Sequence, residues 1–331
     1  MTGTSPGMTA KPETPEVRLA VVGVGHLGRH HARVAAALAG IRVVGVHDHH
    51  PGRAEEVSRE FSLPVLPDLA AVADEAEAVV VATPTASHAE VAGFFLDRGL
   101  HVLVEKPIAS DLAQADDLVA RARRADRVLQ VGHVERYNPA IAAALELVRS
   151  PGFIEVHRLG VFTARSLDVD VVLDLMIHDL QIVAALVGRP PVEIRAAGVP
   201  VLTDKLDIAN ARIAFEGGCV ANLTASRVSA EKVRKLRVFA PSLYVSVDMQ
   251  AQSVSAVRLA REGGRAALAP VVVPVSREEP LSRELADFRK AVAEGSRPLV
   301  TGEDGRDALA LAEEVVKAVG DHRLSLEEAR V

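Results

Sequence analysis

The stretch Val17-Arg18-Leu19-Ala20-Val21-Val22-Gly23-Val24-Gly25-His26-Leu27-Gly28 decides the fold of the first half of the chain. An apolar run ends in three glycines with the spacing GxGxxG, and a helical pattern follows to about Ala39. A strand, a glycine turn and a helix in this order are typical of a dinucleotide-binding unit. Gly23 permits the tight turn, Gly25 lets the backbone approach a pyrophosphate, and Gly28 lets helix and strand pack closely. The first N–H groups of the helix are then available to the phosphates.

A carboxylate follows where such a unit binds the adenosine ribose. The next predicted strand, Ile41–His47, ends at Asp48, which lies 20 residues after Gly28. Asp48 is expected to accept the ribose hydroxyls and to repel a 2′-phosphate, which favours NAD over NADP. His49, His50 and Arg53 are close enough to receive a phosphate, so NADP stays open as the alternative.

Strand and helix patterns alternate throughout the first half, and the second half is mostly strands. Repeated βα units with right-handed crossovers predict a doubly wound parallel sheet. From about residue 150, alternating segments and the Gly217-Gly218 hairpin signal predict a largely antiparallel sheet with one covered face. The predicted fold class is therefore α/β: a Rossmann domain (17–138) and an α+β domain with an open-faced, mostly antiparallel sheet (139–331). Residues 1–16 are expected to form a flexible tail.

Composition excludes several classes of function. The net charge of −6, the absence of Trp and an aromatic content of 3% argue against a nucleic-acid partner. No apolar run reaches the roughly 18–20 residues of a membrane span, so membrane insertion is not expected. The single cysteine, Cys219, fits a reducing compartment, and a cytoplasmic location is expected.

A lysine stands at the end of one predicted parallel strand. Val102 and Val104 lie in this strand, and Pro107 must end it because proline has no N–H for the sheet. Lys106 is thus placed at the carboxyl edge, where open α/β sheets bind ligands. Lys106 is either a general base or a lysine that ends a strand in solvent. To act as a base it must be neutral, a form that burial and a positively charged nicotinamide would favour.

A helix in the second half carries one polar stripe. The segment Asp170–Val187 is apolar on nearly all sides, and Asp170, Asp174, His178 and Gln181 recur at helical spacing. Such a helix is buried, so its polar stripe must find partners or face a cleft. Asp174 is expected to orient the His178 imidazole and to raise its pKa. The alternative is a buried Asp–His pair with a structural role.

Two further clusters of residues suggest ligands. The segment 227–237 contains five cations and one acid, Glu231; the cations are Arg227, Lys232, Arg234, Lys235 and Arg237. Arg136 and Arg165 are further cations. These basic residues either bind a diphosphate or form solvated surface. The histidines at 30–31 and in His47-Asp48-His49-His50 are adjacent in sequence, so they point to different faces and predict no metal site.

Taken together, these residues resemble the Gfo/Idh/MocA family (glucose-fructose oxidoreductase / inositol dehydrogenase). Gly23–Gly28 is similar to its dinucleotide fingerprint, and Glu105-Lys106-Pro107 matches its signature, in which the lysine is catalytic and the Lys–Pro bond is often cis. Asp174 and His178 resemble its second-domain motif, and Gly302–Arg306 its C-terminal element. Where many members have glycines before that motif, this chain has Val169–Leu173. The resemblance also implies a homodimer or homotetramer formed through the C-terminal sheet.

The resemblance implies specific site residues. The implied catalytic residues are Lys106, Asp174 and His178. The residues implied to bind NAD are Gly23, Gly25, His26, Leu27, Gly28, Asp48, Arg53, Thr83, Pro84, Thr85, His88, Glu105 and Lys106. Substrate-binding residues are expected among Lys106, Arg136, Tyr137, Asn138, Arg165, Asp174, His178 and Arg227.

Within the family, the segments Gly132–Pro139, Asp170–Asp179 and Ser226–Phe239 resemble members that oxidise carbon 3 of UDP-N-acetylglucosamine in lipid A synthesis. A pyridoxal-phosphate (PLP) aminotransferase then uses the ketone. The alternatives are an NAD(P)-dependent dehydrogenase of a neutral polyol or free sugar such as an inositol, and a non-catalytic NAD-sensing regulatory protein.

Overall fold

The computed structural model describes residues 16–163, 169–262 and 265–328. The predicted tail falls outside these ranges except for its last residue, and Arg165 also lies outside them. None of the helices in the described ranges combines the length and apolarity that crossing a membrane requires.

The N-terminal domain is built on a parallel five-stranded sheet in the order β2-β1-β3-β4-β5. Its strands are β1 (Val17–Val22), β2 (Ile41–His47), β3 (Ala78–Val81), β4 (His101–Glu105) and β5 (Leu129–Gly132). Its helices are α1 (His26–Ala37), α2 (Pro51–Phe61), α3 (Leu69–Glu75), α4 (His88–Asp97) and α5 (Leu112–Ala125). The order reverses between β1 and β3, so the crevice at their carboxyl ends is the place where ligands bind in such sheets.

The C-terminal domain contains an eight-stranded sheet in the order β13-β12-β11-β10-β6-β9-β8-β7. Its strands are β6 (Phe153–Leu159), β7 (Pro191–Val199), β8 (Ile208–Phe215), β9 (Val220–Ser226), β10 (Val233–Ala240), β11 (Leu243–Asp248), β12 (Ser253–Glu262) and β13 (Arg265–Val271). Within the described part of this sheet, β6 and β9 are the only parallel neighbours, and every other pair is antiparallel. The predicted fold class is confirmed.

Helices cover one face of this sheet and leave the other exposed. The helices on this sheet are α6 (Pro139–Leu147), α7 (Ile177–Val187) and α9 (Gly302–Glu328), and a further helix of the second half is α8 (Pro280–Glu294). Residues of α6, α7 and α9 share one apolar core with the sheet. On the other face, Phe239, Leu259 and Leu268 keep 41%, 40% and 76% of their surface exposed.

Helix α8 lies on the N-terminal domain although it comes late in the chain. Its Leu285 and Phe288 are fully buried in the cluster that contains Leu19 and Val21 of β1. The domain boundary at residues 138/139 stays a prediction, but the core of the first domain includes side chains from the last fifth of the sequence.

The segment before α7 differs from the predicted single helix. Val172–Met176 form a π-helical turn, in which the Ile177 N–H donates to the Val172 carbonyl oxygen five residues earlier. This turn places 174 and 178 at a spacing different from that of an ideal α-helix, in which residues four apart face each other.

Candidate active site

A cavity of about 650 Å³ lies at the carboxyl ends of β1, β2 and β3. Eight of the residues expected to bind the cofactor line it: Gly23, Gly25, His26, Leu27, Asp48, Arg53, Thr83 and Pro84. Its volume is in the range of small-molecule and cofactor sites.

The three glycines have the different roles that their positions predict. A Cβ on Gly28 would lie 1.8 Å from the Gly23 carbonyl oxygen, and a Cβ on Gly23 would lie 2.7 Å from the Thr83 nitrogen. A Cβ on Gly25, in contrast, would have no neighbour within 4 Å in the described part of the chain. The space beside Gly25, at the start of α1, therefore fits a pyrophosphate that approaches the helix N-terminus.

Asp48 is fixed at the end of β2 by the glycine turn. Its Oδ2 accepts a hydrogen bond of 2.9 Å from the Val24 N–H, and its Oδ1 accepts one of 2.9 Å from the His50 N–H. These bonds hold an 8%-exposed carboxylate at the rim of the cavity, where it is oriented to accept further hydrogen bonds from a ribose.

Thr83 and His88 connect the cavity to the Lys106 loop. The Thr83 hydroxyl is buried, and it has no hydrogen-bond partner among the residues that the structure describes, so a ligand in the cavity is able to satisfy it. The His88 imidazole lies between the Thr83 and Pro107 carbonyl oxygens, each 2.9 Å away, and Thr85 begins the turn before α4. Burial lowers the pKa of His88, and a neutral ring donates to one of these oxygens. His88 therefore positions both loops instead of lining the cavity.

Lys106 reaches across to the second domain. Its Nζ donates to the Asp174 carbonyl oxygen at 2.7 Å and lies 3.4 Å from the Asp174 carboxylate. The Lys106–Pro107 peptide bond is cis. The end of β4 and the π-helical turn thus meet at one point, which brings Lys106 and Asp174, two of the residues implied to be catalytic, into contact.

His178 lies beside this contact but not in the predicted relation to Asp174. Its Nδ1 is buried, and no hydrogen bond reaches it from the residues that the structure describes. Burial, then the charges of Lys106 and Arg158, lower the pKa of His178 well below its ordinary value. The prediction that Asp174 raises this pKa is therefore wrong, because the Asp174 carboxylate contacts Lys106 and desolvation dominates at the imidazole.

The rest of the predicted stripe is also divided. The Asp170 carboxylate accepts from the Leu206 N–H, and Gln181 lines a separate cavity of about 640 Å³ between α7 and α9. Only Asp174 and His178 of the four are thus placed near Lys106.

His133, which follows β5, is a residue of this site that was not predicted from the sequence. Its ring is 1% exposed and lies edge-to-face with the His178 ring at a centroid distance of 5.8 Å. Burial and the charge of Lys106 lower the pKa of His133 to about 3, so the ring is neutral. The sequence did contain a signal for this residue, because His133 follows β5, the strand next to β4. The carboxyl ends of neighbouring parallel strands lie at the same edge of a sheet, so a residue after β5 is expected near Lys106.

Glu105 faces away from the cavity. Its Oε1 pairs with His31 Nε2 of α1 at 2.7 Å, and its Oε2 accepts from the Lys106 N–H at 3.2 Å. Burial alone would raise the pKa of Glu105, but the His31 hydrogen bond and the charges of His31 and Lys106 lower it. Glu105 thus anchors the start of the lysine loop to the first helix.

The predicted substrate residues near 136–138 make internal contacts. The Tyr137 hydroxyl donates to Asp287 at 2.9 Å, while Asn138 accepts from Ala140 N–H and donates to the Met249 carbonyl oxygen. Arg136 is half-buried and its Nε has no hydrogen-bond partner among the described residues, so it alone of the three offers a buried donor.

The predicted basic cluster does not gather at one place. Arg227 is buried and donates to the Val169 carbonyl oxygen, Arg234 pairs with Glu135 at 2.7 Å, and Arg237 pairs with Glu155. Arg234 lies near His178, since its charge contributes to the lowered pKa of that imidazole. Among the described residues, no group of three or more His, Cys, Asp or Glu side chains has an arrangement that holds a metal ion.

Comparisons with known proteins agree with this geometry. Residues 17–133 match the model of an oxidoreductase family with an NAD-binding Rossmann fold, GFO_IDH_MocA. Residues 152–241 match the GFO/IDH/MocA C-terminal domain.

One relative is similar along nearly its whole length. The UDP-N-acetylglucosamine 3-dehydrogenase of Acidithiobacillus ferrooxidans is 39% identical over 92% of this chain and 97% of its own. Its solved structure has a TM-score of 0.85 and covers 92% of this chain and 98% of that one. The inositol 2-dehydrogenase of Rhizobium meliloti is 26% identical over 93% and 98% of the two chains.

Proposed function

The chain belongs to the GFO/IDH/MocA oxidoreductase family, and we propose that it oxidises carbon 3 of UDP-N-acetylglucosamine to a ketone with NAD. The observation that carries this substrate is the 39% identity to the UDP-N-acetylglucosamine 3-dehydrogenase over 92% of the chain. The inositol dehydrogenases are more distant, at 26% identity or below among relatives that cover nine-tenths of the chain. The chain is an NAD-dependent dehydrogenase, so the purely regulatory alternative is set aside.

Lys106 is the proposed general base. Bound NAD supplies the hydride acceptor, and the chain must remove the hydroxyl proton of the same carbon. Lys106, as the neutral amine, takes this proton. The resulting ammonium donates to the Asp174 carbonyl oxygen and carboxylate, at the 2.7 and 3.4 Å separations of the structure. Asp174 therefore stabilises the protonated base.

His178 is the proposed partner of the substrate oxygen. Because its lowered pKa keeps it neutral near pH 7, it adds no second positive charge beside Lys106. A neutral imidazole offers one donor and one acceptor, so His178 is able to hydrogen-bond the hydroxyl while Lys106 removes the proton. The assignments of Arg136, Tyr137, Asn138, Arg165 and Arg227 to substrate stay predictions.

The partners are part of the proposal. We expect a PLP-dependent aminotransferase to consume the 3-keto sugar in lipid A precursor synthesis. We also expect a homodimer or homotetramer through the exposed face of the sheet, where the Phe239 ring lies 5.8 Å from Phe153 and 5.1 Å from Tyr244. The cytoplasmic location inferred from cysteine usage stays a prediction as well.

The direct test is to mix the protein with NAD and UDP-N-acetylglucosamine and to follow the absorbance of reduced nicotinamide. A downstream aminotransferase with an amino donor is included to pull the equilibrium forward. Parallel reactions contain myo-inositol or free N-acetylglucosamine. Faster reduction with myo-inositol than with the nucleotide sugar would replace the proposed substrate with a neutral polyol.

A second experiment tests recognition of the nucleotide part. UDP is expected to compete with the sugar nucleotide, because a diphosphate is a strong acceptor for arginine donors. Inorganic phosphate at the same concentration serves as the control. Absence of competition by UDP would remove diphosphate recognition from the proposal.

A further inference from the structure

Two neighbouring histidine rings contain three buried nitrogens without partners. They are Nδ1 and Nε2 of His133 and Nδ1 of His178, and no hydrogen bond reaches them from the described residues. The planes of the two rings stand at 87° with centroids 5.8 Å apart. A buried polar group without a partner is destabilising, so native proteins rarely leave three of them together.

The two rings are chemically able to satisfy each other. The positive charge of Lys106 lowers the pKa of both rings. The charges of Arg158 and Arg234 also lower the pKa of His178, whereas the negative charge of Glu105 raises that of His133. Burial, the largest cause, lowers both pKa values, and each neutral ring then has one donor and one acceptor. One N–H···N hydrogen bond between the rings, which requires a small reorientation of one of them, would satisfy two of the three groups.

A buried arginine holds the two rings in register. Arg158 of β6 is 2% exposed and donates to Asp179, the neighbour of His178, through Nε at 2.8 Å and Nη2 at 2.7 Å. Its Nη1 donates at 2.9 Å to Glu135, which lies two residues after His133. Because one planar guanidinium binds both segments, the segments that carry the rings have a fixed separation.

We propose that His133 is a positioning residue that donates a hydrogen bond to Nδ1 of His178. This bond fixes the tautomer in which His178 carries its hydrogen on Nε2, and that N–H donates to the substrate oxygen as its proton leaves for Lys106. The inference rests on the proposed function, in which His178 faces the oxygen of the alcohol. It adds the orienting group that such an imidazole needs, because the hydrogen bond at one nitrogen decides which nitrogen carries the proton.

The test compares three substitutions of His133. His133→Phe keeps an aromatic ring of similar size but has no nitrogen, while His133→Asn and His133→Gln each place an amide donor near one of the two ring nitrogens. We expect His133→Phe to lower kcat about tenfold or more, the effect of losing one buried hydrogen bond, with KM for NAD and for the sugar nucleotide nearly unchanged. At least one amide variant should recover most of this loss.

A second readout needs neither cofactor nor substrate. The nitrogen-15 chemical shifts of histidine rings in the ligand-free protein report which nitrogen of His178 carries hydrogen. We expect hydrogen on Nε2 in the wild type and a mixture of tautomers in His133→Phe. Because this measurement does not depend on turnover, it separates failure of the inference from failure of the proposed substrate.

Two results would overturn the inference. One is kinetic: either kcat of His133→Phe stays within twofold of the wild type, so that ring volume alone suffices, or the amide variants are no better than Phe, so that a donor at this position does not restore the function. The other is an unchanged His178 tautomer in His133→Phe. Thermal unfolding of each variant verifies that the comparison is made between folded proteins.

Discussion

At the scale of single residues, the site depends on the contact between Lys106 and Asp174. The sequence places these residues in different domains, 68 positions apart, and the structure joins them at 2.7 Å through the Asp174 main-chain carbonyl. The main-chain carbonyl at position 174 can accept this hydrogen bond whatever side chain the residue carries. The position of the Lys106 amine therefore depends on the course of the π-helical turn as well as on the Asp174 side chain.

Replacement of this lysine gives the first prediction. Lys106→Met keeps the length of the side chain but removes the proton acceptor, so turnover should become undetectable. NAD should still bind, because Lys106 does not line the cavity beside the glycine turn. Stopped-flow reduction and calorimetric NAD binding measure the two properties, and Lys290→Met on exposed α8 surface is the control. Turnover near that of the wild type would exclude Lys106 as the base.

The buried His133 gives a prediction about pH. Its pKa is about 3 in the folded state and 6.5 ordinarily, so between these values the unfolded chain binds a proton that the folded chain excludes. Stability is therefore lost as pH falls below 6.5, and at about pH 5 this single group accounts for roughly 2 kcal/mol. Urea unfolding at about pH 8 and about pH 5 should show that His133→Phe loses about 2 kcal/mol less than the wild type. Equal losses in both proteins would contradict a neutral buried His133.

At the scale of secondary-structure elements, the turn between β1 and α1 separates packing from binding. Gly28→Ala should destabilise the domain, because its Cβ would lie 1.8 Å from a backbone oxygen. Gly25→Ala should fold normally and lose NAD affinity, because the added methyl occupies only the space proposed for the pyrophosphate. Gly52→Ala, also with open space around its Cβ, is the matched control and should change neither property. Thermal unfolding and NAD titration distinguish the three variants, and normal NAD binding by Gly25→Ala would place the pyrophosphate elsewhere.

The elements that the sequence predicts well are those with a strong local signal. The strand Ile41–His47 has the predicted bounds, because apolar periodicity and flanking turn residues determine it locally. Strand β13 was not predicted, since Arg265–Val271 contains three alanines and a proline and only one β-branched residue, Val271. Helix α6 was also not predicted, although Asn138 caps it and Pro139 begins it.

The wrong predictions about the site come from effects that no short segment of sequence determines. The i,i+4 rule joined Asp174 to His178, but the π-helical turn intervenes and desolvation lowers the pKa of His178. The basic residues 227–237 are neighbours in sequence, yet alternation along β10 directs Arg234 and Arg237 to opposite faces of the sheet. Carboxylates then pair with each of them, which was not visible from charge spacing alone.

At the scale of the whole molecule, the exposed sheet face gives a prediction about assembly. Phe239→Glu should shift the protein toward a monomer, because a charge would replace the centre of an aromatic cluster at the proposed interface. Val65→Glu changes a side chain of similar exposure, 42% against 41%, on the other domain and should leave the assembly unchanged. Light scattering coupled to size-exclusion chromatography measures the mass. A monomeric wild type, or an unaltered mass in Phe239→Glu, would move the interface away from this face.

The position of α8 has a consequence for how the enzyme is made. Leu285 and Phe288 complete the apolar packing around β1, yet the ribosome synthesises them more than 250 residues after that strand. Part of the apolar core of the nascent cofactor-binding half therefore stays exposed until translation has almost finished. A premature stop codon shortly before Pro280 would spare every proposed catalytic residue and still leave this half incomplete, so a late truncation should give a product that chaperones and proteases recognise.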